Sequence, residues 1–295
     1  MVRGLAFVLL AGCGHIDFAA LGDGGGGGGG GGGSSDGAAA CTVFGAWSTP
    51  QPVTAINTVA NDWEPELSPD GQWLVFSSVR LDPHEHLFIA QVSGGVVGTP
   101  REVTELATSQ DESGPAWDGT GANLYYNSDV SGSYLLYEAS FSGGTFGAGV
   151  EVASLASSSV ISPSISADDL EIVSGTSSSN ATSDVTELVR ATSSDAWPAA
   201  GTSVEPLGNG WPSLSGDRMT LYYEGTGMHS QIFMAARQAI TGPFDLTTVF
   251  ELDDVDVDEG DPFISHDGLT YLFASSRPGG AGLNDVWIST RTCAD

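Results

Sequence analysis

Acidic side chains recur beside tryptophan in this chain. Asp62, Trp63 and Glu64 stand together, as do Asp111 and Glu112, and Asp258, Glu259 and Asp261; a further tract sets Asn209 beside Trp211. Residues of these types support three kinds of chemistry. Several oxygens converging on one point can hold Ca2+, a hard cation that takes many oxygen ligands. Two carboxyl groups facing each other across roughly 5 to 10 Å can cleave a glycosidic bond, and Asp62 with Asp258 is one such candidate pair. Alternatively the acids line a polar funnel and are held by N–H groups, turns and the guanidinium groups of Arg80 and Arg277. The residue types leave all three open, and no metal ligand set can be assigned. Among the aromatics, Trp63, Trp117 and Trp211 are the candidates for ligand contact. Trp73, Tyr126, Tyr222 and Trp287 lie in alternating runs and read as packing.

Other chemical motifs are weak. His84-Glu85-His86 lacks the helical His-Glu-x-x-His spacing of a zinc site and has no third ligand in view. The tract Glu251–Asp261 carries seven acids in eleven residues but lacks the central Gly and terminal Glu offsets of an EF-hand. The chain has no Gly-x-Ser-x-Gly elbow and no Walker loop, and the uniform Gly24–Gly33 run does not match a phosphate cradle. Asn180-Ala181-Thr182 matches a glycosylation acceptor by pattern alone.

The elements that must position these residues are set by a repeat. A Pro recurs at 65, 115, 163, 212 and 262, in steps of 50, 48, 49 and 50. Each Pro opens a short strand, where its missing N–H is tolerated. A turn follows, Asp70-Gly71 in the first unit and Asp267-Gly268 in the last, and then an apolar strand such as Trp73–Ser77 or Thr270–Ala274. A polar loop, a third strand (His86–Ala90, Asp285–Ser289) and a weaker fourth complete the unit. Four strands in a repeat of this length make one propeller blade. The expected fold is therefore an all-β, five-bladed β-propeller of four-stranded antiparallel blades, spanning 41–295, with inner strands starting near 65, 115, 163, 212 and 262.

The motif Leu67-Ser68-Pro69-Asp70-Gly71, echoed in Ile264-Ser265-His266-Asp267-Gly268, resembles the WD40-like PD40 repeat of TolB-type periplasmic propellers. The likeness covers all five units and is weakest in the third, where Asp168-Asp169 forms the turn and Thr176–Asp184 is inserted. It implies that the loops entering the first strand and those joining the second to the third share the ligand-bearing face. Asp62, Trp63, Glu64, Asp111, Glu112, Asn209, Trp211, Asp258, Glu259 and Asp261 would all lie there. The partners of TolB itself do not carry over, because the chain shows neither a sixth repeat nor a separate α/β domain.

The fifth unit lacks a fourth strand, while Ala46–Ala55 is a spare strand ahead of the first. Closure of the ring by the N-terminal strand in the last blade removes every open sheet edge. Cys41 precedes that strand and Cys293 follows its expected partner, so the two would be neighbours and could form a disulfide; the alternative is two unrelated thiols.

Residues 1–13 read as a lipoprotein signal: Arg3, an apolar Gly4–Gly12, and Leu10-Ala11-Gly12-Cys13, which resembles the lipobox that lipidates Cys13. Gly14 after the Cys favours the outer membrane in the best-known sorting systems. Residues 14–40 read as a Gly-rich disordered leash with a reach of roughly 30 Å. The chain holds 37 acidic residues against 8 basic ones, all Arg, for a net charge of −29. That balance excludes nucleic acid and anionic lipid surfaces as partners. The expectation is a lipid-anchored, monomeric, extracytoplasmic module of the bacterial cell envelope. It would bind a protein, an envelope polysaccharide or peptidoglycan without catalysis, with contact to the membrane through the lipid alone. A carbohydrate-active enzyme and a calcium-dependent adhesion module are the alternatives. No cofactor motif is present, and calcium is the one ion the acids suggest.

Overall fold

The computed structural model describes residues 41, 43–156, 160–176, 184–208, 210–225 and 228–294. Cys13, the Gly-rich leash, Asn180 and Asn209 lie outside the described residues. Five antiparallel sheets follow one another along the chain as the blades of a five-bladed β-propeller. Their inner strands are Asp62–Leu67, Glu112–Trp117, Ile161–Ile165, Ser213–Leu214 and Glu259–Ile264.

The second strand of each blade explains why the ring is stable. In Trp73–Ser78, Leu74 and Phe76 point to one side and pack with Phe263, Leu272 and Val286 of the fifth blade. Val75 points to the other side and meets Trp117 and Leu124 of the second blade. The period of two that would leave one face wet in a half-exposed sheet here buries both faces against neighbouring blades. The same division recurs around the ring: Val173 packs with Leu221 and Tyr223, and Tyr222 with Tyr271 and Phe273. Tyr126, Tyr222 and Trp287 are core residues, and Trp73 packs half-buried against the cluster between the first two blades. Trp117 also belongs to the core, against Phe141 and Phe146, and is removed from the ligand-contact candidates.

The hairpin turns are held by side chains. Ser68 donates its hydroxyl to Asp70 and accepts the amide of Trp73; Ser166, Ser215 and Ser265 do the same with Asp168, Asp217 and Asp267. The left-handed turn position is Gly71, Gly121 and Gly268 in three blades, but Asp169 and Arg218 in the other two. Arg218 uses that position to place its guanidinium on the buried Glu171, which Arg237 also grips.

The ring closes as the spare strand suggested. Gln51–Pro52 pairs with Asp285–Thr290, with Gln51 opposite Ile288 and Pro52 opposite Trp287. Phe44 bridges to Cys293, and Cys41 and Cys293 form a disulfide across a sequence separation of 252. Closing so long a loop stabilises by roughly 5 kcal/mol in the chain-entropy account. Arg291 seals the seam, stacked over Phe44 and Trp47. Among the described residues no helix is long and apolar enough to cross a membrane.

Candidate functional site

A backbone irregularity builds the centre of the molecule. In the first blade Trp63 faces Ser77, whereas Glu66 faces Val75, so one extra residue is inserted between them. Equivalent shifts fall between Ser113 and Ala116, Ile161 and Ser164, and Gly260 and Phe263. The residue before each repeating Pro takes a left-handed backbone: Glu64 (φ 48°), Gly114 (57°), Ser162 (45°), Trp211 (52°) and Asp261 (49°). A residue before proline is sterically restricted, and left-handed backbone for a bulky side chain such as Trp costs about 1–3 kcal/mol. The return on that strain is direction, since a bulge re-aims a side chain. Glu64, Ser162, Trp211 and Asp261 all line the central channel. Gly114 has no substitute, because a Cβ there would lie 2.7 Å from Asn127 Oδ1 and 3.0 Å from Ser162 Cα.

Below this level the ring of five prolines narrows the channel to a void of about 30 Å³. Above it a cavity of about 450 Å³ opens at the face where inner strands begin and second strands end. The site is therefore a blind cup. Its walls carry the indoles of Trp63 and Trp211, the phenol of Tyr134 and the carboxyl groups of Glu64, Glu85, Glu224 and Asp261. Among the described residues no Arg or His lines it.

The four carboxyls differ in their partners. Glu64 accepts hydrogen bonds from the Ser162 hydroxyl (2.8 Å) on one oxygen and from the Ser77 hydroxyl and Gly114 amide (2.7 Å each) on the other. Asp261 is held well above the usual carboxylate range, by burial first and then by the nearby charges of Glu64 and Glu224; the Glu64 amide pulls weakly the other way. Burial also raises Glu224, against the Ser230 hydroxyl and Asp261 amide that bind it. Glu85 is pushed up to about 8 by burial and by Glu64, with Asp111 and Asp129 adding to the effect and a hydrogen bond from Ser113 opposing it. Burial of negative charge among negative charges keeps protons on carboxyls near neutral pH.

The remaining acids proposed from sequence hold loops. Asp62, fully buried, accepts the amide (2.6 Å) and hydroxyl (2.9 Å) of Thr58 and the hydroxyl of Ser78 (2.6 Å), and pairs with Arg80. Glu112 does the same with Thr108 and Ser128. Glu259 takes the Asp254 amide, the Ser275 hydroxyl and Arg277. Asp111 accepts the Glu85 amide (3.0 Å) and the Tyr134 hydroxyl (2.8 Å) and pairs with His84. Asp258 meets His229 and the Ser230 amide. Asp62 and Asp258 are thus each engaged with other groups rather than with one another. The two histidines around Glu85 also diverge, His84 to Asp111 and His86 to Asp82 and Glu102.

Sequence reasoning placed Trp63, Glu64, Trp211 and Asp261 on the ligand face, and the cup contains all of them. It missed Glu85 and Glu224. Glu224 carried a signal: it is the penultimate residue of a second strand, at a position where the other blades have Ser77, Asn127, Ser174 and Ala274. Glu85 had none beyond its place in a loop. Among the described residues no group of three or more His, Cys, Asp or Glu side chains is arranged to hold a metal ion.

No family model matches the chain, and no curated protein does. Solved structures do resemble it. A GH62 hydrolase in complex with xylotriose aligns with 79% of this chain and 92% of its own, at 7% identity and a TM-score of 0.54. A gluconolactonase from Xanthomonas campestris aligns over 85% and 97%, at 13% identity and a TM-score of 0.50. TolB from Acinetobacter baumannii aligns over 64% of this chain and 43% of its own, at 18% identity and a TM-score of 0.46. The chain thus spans less than half the length of that TolB. At these identities the likenesses to the GH62 hydrolase and the gluconolactonase speak for the propeller fold alone.

Proposed function

We propose that this chain is an extracytoplasmic binding propeller that receives its ligand in the cup at the channel mouth. The single observation that carries this reading is the cup itself: a blind, preformed concavity with two indoles, a phenol and converging polar groups, which is the usual composition of a ligand site. The ligand would be part of a protein or of an envelope polymer such as a polysaccharide or peptidoglycan. The lipobox-like tetrapeptide supports a lipid on Cys13 as the tether, in the outer membrane by its Gly14, and the leash would hold the monomeric propeller away from the bilayer. Isothermal titration against peptidoglycan fragments, envelope glycans and envelope-protein peptides tests the site. Binding that weakens at least about tenfold in Trp63→Ala supports it, since one aromatic contact contributes on the order of 1 kcal/mol or more. Binding indifferent to Trp63 and Trp211 would overturn it. Loss of membrane fractionation in Cys13→Ser tests the tether separately.

One observation favours a second reading. Glu85, Glu224 and Asp261 hold protons more tightly than ordinary carboxyls and share the cup with Glu64, whose oxygens act as acceptors to three donors. Carboxyls gathered in one cavity, some with raised proton affinity, are the equipment of glycoside cleavage. The likeness to a hydrolase solved with xylotriose makes xylo-oligosaccharides a suitable first substrate to assay. Turnover abolished by Glu224→Gln would establish this reading in place of pure binding.

A further inference from the structure

The cup is lined by four carboxyls and two indoles with no cationic side chain among the described residues, and the mainly polar loops on its face also carry exposed apolar side chains. Val59 and Val255 lie in loops that enter inner strands, and Leu81, Val130, Met228 and Leu283 lie in loops that join second to third strands. Those loops share one face, because the start of an inner strand, the end of the second and the start of the third are in register: Asp62, Ser78 and His86 in the first blade, Glu259, Ser275 and Asp285 in the fifth. Met228 is 97% exposed and Val59 83%. Exposed apolar side chains on the loops of this face offer contacts to the flanks of whatever enters the cup.

Charge narrows what that is. The arginines of the described residues are engaged within the chain. Arg80, Arg218, Arg237 and Arg277 pair with buried acids, Arg101 with Glu105, and Arg190 and Arg291 lie on aromatic faces. None of these arginines reaches the cup to pair with its carboxyls. A small cation with an apolar stem would meet the carboxyls at its head and the faces of Trp63 and Trp211 along its side, an arrangement that desolvated ammonium groups favour.

We propose that the cup is a receptor for an ammonium group, presented by a polypeptide segment as a lysine side chain or a terminal amine, with the segment's apolar residues resting on the loop rim. This deepens the binding-module reading and rests on it. The groups facing Glu85 are Glu64 and Asp261 from inner strands, and Asp111, Asp129 and Tyr134 from the neighbouring blade, with His84 engaged by Asp111. An arriving ammonium favours the ionised carboxyls, so it expels protons that the empty cup holds. Binding therefore tightens as pH rises from 6 to 8, by up to about tenfold per unit for each proton released.

The test uses the whole chain and three probes: the peptide acetyl-Ala-Leu-Lys-Leu-Ala-amide, the same peptide with norleucine for lysine, and cadaverine. Calorimetry in buffers of different ionisation enthalpy counts protons. The expected result is at least tenfold preference for the lysine peptide over its norleucine twin. Proton release at pH 7 is also expected, as is at least tenfold loss in Glu85→Gln and Glu224→Gln, each of which should still unfold in one cooperative transition. Cadaverine should compete for the cup but bind more weakly, lacking contacts to the rim. Equal affinity for the norleucine peptide, or no binding of either amine, overturns the proposal. Cadaverine binding as tightly as the peptide overturns its polypeptide part. If a neutral envelope glycan binds and Trp63→Ala abolishes that, the ammonium inference falls while the binding-module reading stands.

Discussion

Two sets of acids lie two residues apart in sequence and do opposite things. Asp62 and Glu259 begin their inner strands, are sealed from solvent, and tie the incoming loop to the serine that ends the second strand. Glu64 and Asp261 follow two positions later, on the bulge, and face the open channel. Strand alternation alone would put i and i+2 on the same side. The left-handed residue before each proline breaks that rule and turns the second acid inward. The lesson is that in this propeller the direction of a carboxyl is decided by one backbone torsion.

The comparison can be broken most forcefully at the sealed acids. Asp62→Ala leaves Arg80 and the Thr58 donors without their buried partner, and should destabilise the chain by about 3–5 kcal/mol in denaturant melts. Glu64→Gln, two residues away, should have a smaller effect, because its carbonyl oxygen still accepts from Ser77 or Ser162. Comparable losses in the two variants would erase the distinction.

Proton linkage sharpens it next. The folded-state affinities of Glu85, Glu224 and Asp261 are raised, so the folded chain binds more protons than the unfolded one above the ordinary carboxylate range. Their contribution is fully present below about pH 4.5 and is lost as pH rises through about 8, the value for Glu85. Melting temperature should therefore fall between pH 5 and pH 9, and Glu85→Gln should flatten that fall. An unaltered pH slope in the variant would show that the cup acids are not the source.

Gly260→Ala is a finer probe. A Cβ at Gly260 would collide with the Glu224 carboxylate, so binding in the cup should drop while the clamp at Glu259 keeps the melt close to that of the parent. A full loss of stability would mean that Glu224 belongs with the sealed set. The smallest expected effect is that of calcium. Millimolar Ca2+ or a chelator should leave the melt unchanged, and a rise with Ca2+ would bring the adhesion reading forward.

These contrasts also mark what can be read from the chain itself. The proline period and the turns that follow it spelled out the blades because they repeat around the ring, and the unpaired first strand spelled out the closure because the last unit lacked its fourth. Cys41 and Cys293 were legible for the same reason: the pairing of the strands they flank fixes their proximity. The site was legible only in part. Trp63 and Asp261 could be placed on a face, but Asp62 and Glu64 look alike until the bulge is known. Trp117 lies two residues after its proline, where the other blades have Leu67, Ile165, Leu214 and Ile264, and like them it is buried, whereas the channel residues precede the proline. Glu85 reaches the cup through the path of a polar loop, which no periodicity encodes.

The seam has a mechanical consequence. Any tension drawn along the chain from the residues preceding Cys41 meets the covalent link to Cys293 before it meets the two-residue pairing of Gln51–Pro52. The load passes straight into Asp285–Thr290, a central strand with a neighbour on each side. The ring would therefore resist being unzipped from the Cys41 end, and a reducing environment would move the yield point from a covalent bond to a handful of hydrogen bonds.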